Sequence, residues 1–123
     1  MTELLFNKNE IEEVEKNFQK LTLNAIQRGM IAQAAQIYVK YLPISELAIK
    51  GFISFAMRDW QVQNKVDLAT YLEWPPEEQA KTVWAIADLL KVRLTKLLIE
   101  SEQEPILEKA INEAVNQALQ PPK

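Results

Sequence analysis

The chain of 123 residues has no cysteine, no histidine and only two glycines, and each shortage removes a class of chemistry. Without cysteine there is no disulfide framework, no thiolate nucleophile and no thiolate site for zinc or an iron–sulfur cluster. Without histidine there is no triad base, no imidazole metal ligand and no side chain whose ordinary titration falls near neutral pH. Gly29 and Gly51 are too few for the turns of an all-β sandwich or barrel, and they cannot build a GxGxxG or Walker phosphate loop. Long apolar runs are missing too. The longest candidate, residues 44–60, is interrupted by Ser45, Glu46, Lys50, Ser54, Arg58 and Asp59, so no membrane-spanning helix is expected. The opening Met1-Thr2-Glu3-Leu4-Leu5-Phe6-Asn7-Lys8 has no basic stretch followed by an apolar run, so no secretory signal is expected and the cytoplasm is the expected location.

What is present suits a helical protein. With 48% hydrophobic and 25% charged residues, the chain has the composition of one ordinary globular domain spanning residues 1–123. Proline punctuates it: Pro43, Pro75-Pro76, Pro105 and Pro121-Pro122 cut it into helix-length pieces, each proline suiting a boundary or a first turn. Ile11, Val14, Phe18, Leu21 and Ala25 recur by threes and fours, and Ile26, Met30, Ala34, Ile37 and Tyr41 continue the stripe. Two helices over 9–42 are favoured over one, with a break near 21–24, Asn24 as a cap, and Gly29 as a kink or a close helix crossing.

A central helix is expected from Pro43 to about Gln63, because its apolar arc is broad enough to touch neighbours on several sides. A short helix follows Asp67, and a long one over 76–101 carries the stripe Val83, Trp84, Ala87, Leu90, Leu94 and Leu97. The last is expected over 105–119. The reading is all-α: a compact bundle of five or six helices, single domain.

Charge is arranged in blocks. Residues 21–66 and 81–98 each carry an excess of base, while 1–20, 67–80 and 99–123 carry an excess of acid, within a net charge of −3. The blocks either face one another across the bundle as solvated surfaces or gather into a local phosphate-binding stripe. Carboxylates are the remaining general acid/base candidates, and they stand singly or at helix starts; no metal-ligand or cofactor spacing occurs, so we expect no enzyme and no cofactor. Trp60 beside Arg58, and Tyr38 and Tyr41 around Lys40, have the composition of a base-stacking site, although aromatics at helical spacing also fill cores.

In length, helix content and scattered basic positions the chain resembles the helical small subunits of CRISPR RNA-guided effector complexes. That resemblance implies contacts to nucleic-acid backbone at Lys40, Lys50, Arg58, Lys91, Arg93 and Lys96. The final helix carries a second signal, for it is apolar over more than half its circumference. Leu107, Ile111, Val115 and Leu119 could therefore form a partner or homodimer face, or be gripped between two helices of the same chain. Two functions are expected on these grounds. The first is a non-catalytic subunit or adaptor of a larger assembly, most concretely a nucleoprotein complex. The second is a homo-oligomeric regulator or protein-sequestering module that uses no nucleic acid.

Overall fold

The structure, a computed structural model, describes residues 8–42, 44–97 and 104–119, with side-chain surroundings given as far as Thr95 and again from Pro105. Among the described residues there are six helices: α1 (Lys8–Lys20), α2 (Ala25–Tyr41), α3 (Glu46–Asn64), α4 (Leu68–Glu73), α5 (Pro76–Leu97) and α6 (Glu104–Leu119). No strand occurs among the described residues.

Local chemistry sets the boundaries. Asn24 ends the stretch 21–24 with a capping box: its side chain accepts the Gln27 N–H at 2.9 Å, and its own N–H donates to Gln27 Oε1 at 3.1 Å. Residues 9–42 are thus two helices. Asn9 lies inside α1 and does not cap it, while Asn7 falls outside the described residues. α3 begins at Glu46 rather than Pro43, because Ser45 Oγ accepts the Ala48 N–H at 3.1 Å. The same hydroxyl donates to Glu15 at 2.6 Å, so the start of α3 is tied to α1. α3 ends at Lys65, the one residue with positive φ (54°) among those described. Asp67 then caps α4 by accepting the Thr70 N–H at 2.8 Å. Gln79 Nε2 reaches back from α5 to the carbonyls of Tyr71, Leu72 and Trp74 at 3.0–3.3 Å, satisfying acceptors that the short α4 leaves open.

α2, α3, α5 and α6 form a closed ring: α2 packs on α3, α3 on α5, α5 on α6, and α6 back on α2. α1 covers the outer side of α3. α3 therefore has neighbours on three sides, as its broad apolar arc requires. Ile31, Ala35, Ile49, Phe52, Leu94 and Leu107 are among the residues enclosed in the shared core.

Three sequence expectations change. Gly29 is neither a kink nor a crossing: it is exposed in a continuous helix, and a Cβ there would meet nothing within 4 Å. The close crossing is at Gly51, where α1 lies so near that a Cβ would stand 2.5 Å from Val14 Cγ1 and 3.3 Å from Phe18 Cβ. On the expected stripe of α5, Ala87, Leu90 and Leu94 are buried, but Trp84 is 41% exposed and Thr82 faces the core in addition, while the side chain of Leu97 lies outside the described residues. Ile26, placed on the stripe of α2 by its spacing, is 54% exposed near the start of that helix.

Candidate interaction surfaces

Four of the six basic positions come to rest against carboxylates. Lys40 on α2 pairs with Glu113 on α6 at 3.4 Å, and the neighbouring Tyr41 hydroxyl donates to the same carboxylate at 3.0 Å. That bond to Glu113, with some loss of solvent, holds the Tyr41 phenol in its neutral form and raises its pKa. Lys109 lies over the Tyr41 ring at 5.6 Å. Lys91 on α5 pairs with Glu108 on α6 at 2.7 Å. Arg93 pairs with Asp59 across α5 and α3, its guanidinium 5.5 Å from the centre of the Phe55 ring. Lys50 pairs with Glu46 one turn earlier on α3, at 3.9 Å. Arg58 is exposed and has no ion pair among the described residues. Lys96 lies in α5, with its side chain outside what is described. Of the six expected nucleic-acid contacts, four are thus held by carboxylates. The partners lie up to 73 residues away in the chain, which no local reading could supply.

On the terminal helix, Leu107, Ile111 and Val115 are enclosed in the bundle's own core, at 0%, 5% and 2% exposure. They grip α2 and α5 and are not presented to a partner. Leu119 remains outside, as does Ile106, each at 37%. Exposed apolar side chains also include Ile26 on α2, Val62 on α3 and Leu72 on α4, and two lie together on α5. Trp84 and Val92 flank Asp88 at steps of four on the outer side of that helix, Val92 being 53% exposed.

A cavity of about 440 Å³ is lined by α2 from Met30 to Tyr38, α3 from Ile53 to Gln61, α5 from Thr82 to Leu90 and the end of α6, with Leu68 and Tyr71 of α4 beside it. Met30 and Tyr38 come from α2, Met57 and Trp60 from α3, Tyr71 from α4 and Ile86 from α5. Trp74 packs edge-on to both Trp60 and Tyr71, at centroid distances of 6.1 and 6.2 Å, and fixes the α4 corner as its place before Pro75 suggests. Burial raises the pKa of Tyr71 and, more strongly, of Tyr38. The Thr70 N–H bonded to Asp67 lowers that carboxyl below its usual range. Among the described residues no three carboxylates gather to hold a metal ion, and no helix is long and apolar enough to cross a membrane.

Compared with known proteins, the chain matches no family model, no curated protein and no solved structure.

Proposed function

We infer that the chain is a non-catalytic helical interaction module that works through a protein partner in the cytoplasm, and that its contact face is the outer side of α5. The pairing of Lys40, Lys50, Lys91 and Arg93 with carboxylates carries this reading over the nucleoprotein one. A phosphate approaching any of these cations also meets the acid beside it, so the local field is close to neutral and little is gained by counterion release. Trp84 and Val92 are the kind of exposed apolar pair that anchors a protein contact. The cytoplasm belongs to the same proposal, since a chain without cysteine draws nothing from an oxidising compartment.

The test is recovery of the tagged chain from its own cells, with and without nuclease, beside a Trp84→Lys/Val92→Glu variant. The expected result is a discrete protein at fixed stoichiometry, or a homo-oligomer, unaffected by nuclease and lost in the variant. Recovery that requires nucleic acid and disappears in Arg58→Glu overturns the reading in favour of a nucleoprotein subunit. A monomer that brings nothing with it overturns both.

A further inference from the structure

We propose that the cavity beside α4 is a binding site for an uncharged, mainly apolar small molecule carrying one hydrogen-bonding group, which it places against the Tyr38 hydroxyl. This goes beyond the α5 contact face and does not depend on it.

The first support is a hydroxyl that keeps a little access and has no protein partner among the described residues. Tyr38 is 2% exposed, and its hydroxyl has no hydrogen-bond partner among the described residues. No fully enclosed side-chain nitrogen or oxygen in that set lacks a partner, so the access Tyr38 retains lies at its hydroxyl, into the cavity it lines. A hydroxyl in that position is free to donate to or accept from a polar group on a ligand.

The second is size and wall chemistry. A volume of about 440 Å³ lies within the range of small-molecule sites. Met30 and Met57 contribute adaptable thioether surface to the lining, and Trp60 and Tyr71 contribute rigid aromatic surface. Charge decides the rest. No lysine or arginine lines the cavity, and its single charged side chain is the carboxylate of Asp67, already engaged as the cap of α4. Gln33, Gln61, Gln117 and Thr82 add neutral polar groups, but a fatty carboxylate or a phosphate finds no cation to pair with and faces the charge of Asp67. A neutral alcohol, amide or amine-bearing aromatic fits.

The experiment uses the full chain and the neutral fluorophore N-phenyl-1-naphthylamine, with 1-decanol and decanoate as competitors at pH 8. Saturable one-to-one binding is expected, with 1-decanol displacing the probe at least tenfold more effectively than decanoate. Tyr38→Phe removes an unpartnered hydroxyl, so the fold should melt no lower than wild type while 1-decanol binds roughly threefold to tenfold more weakly. Ala118→Trp, at an exposed position on the rim, should abolish probe binding without changing the circular dichroism spectrum. Four results would each overturn the proposal: no saturable binding, equal displacement by decanoate, unchanged 1-decanol affinity in Tyr38→Phe, or probe binding that vanishes as protein concentration rises. The last would show a second copy of the chain filling the cavity.

Discussion

At Gly51 the missing side chain is itself a packing element. α1 approaches α3 so closely there that a methyl group would press on Val14 Cγ1 at 2.5 Å and on the Val14 carbonyl oxygen at 3.2 Å. The backbone oxygen cannot rotate away as a side chain can. Gly51→Ala should therefore cost about 1–3 kcal/mol, the range seen for overpacked cores. Gly29 has the same composition and the opposite role: it is exposed, mid-helix and next to nothing within 4 Å. Gly29→Ala should stabilise the chain by roughly 0.5–1 kcal/mol through helix propensity alone. Urea unfolding followed by circular dichroism reads both, with midpoints moving in opposite directions and an unchanged slope. Equal midpoints would show that α1 yields at the crossing.

Helix ends repeat the lesson on a larger scale. Lys65 closes α3 in the left-handed region, at φ 54° and ψ 43°, where glycine is the usual residue and neither of the two glycines stands. A side chain in that region costs about 1 kcal/mol, part of which glycine gives back as unfolded-chain entropy. Lys65→Gly should raise the thermal midpoint, with a net gain of roughly 0.5–1 kcal/mol, and a lowered midpoint would show that the lysine side chain holds the turn.

The elements themselves are legible in the sequence wherever a boundary is made locally. Asn24 with Gln27, Asp67 with Thr70, and the prolines act within three or four residues, and α1, α2, α4 and α6 fall where they point. Pro43 misleads because Ser45, two residues on, is the better cap. Trp84 misleads because the apolar arc of α5 is wider than the face its neighbours cover, and the choice belongs to the ring. The candidate surfaces were less legible for the same reason. Whether Lys91 is free or paired depends on Glu108 of the next helix, and whether Ile111 is a contact or core depends on α2.

For the molecule as a whole, all three tyrosines resist ionisation. Tyr38 and Tyr71 do so through burial, and Tyr41 chiefly through its bond to Glu113. Each folded-state pKa lies above the ordinary value of 10.0, so above that pH the unfolded chain gives up protons that the folded chain keeps. The unfolded state then binds fewer protons, and stability must fall as pH rises from about 10. Below that pH this contribution is fully present. Absorbance at 295 nm should show native phenols titrating well above those of the chain in urea. Tyr38→Phe should flatten the alkaline decline in thermal midpoint, and an unaltered decline would place the Tyr38 hydroxyl in water.

The ring also carries a kinetic consequence. Its seams at α2 and α3 and at α5 and α6 join neighbours in the chain, but the seam between α2 and α6 joins its first member to its last. Lys40 and Tyr41 meet Glu113 there across more than seventy positions. Closing so long a span costs the most chain entropy, so two hairpins form early and dock late. Contacts made only at docking leave the rate of formation nearly untouched and set the rate of loss. The seam between α2 and α6, its apolar packing far more than the half-exposed Glu113 cluster, is accordingly the clasp of the fold: it does little to speed assembly and bears on how long the assembled protein lasts.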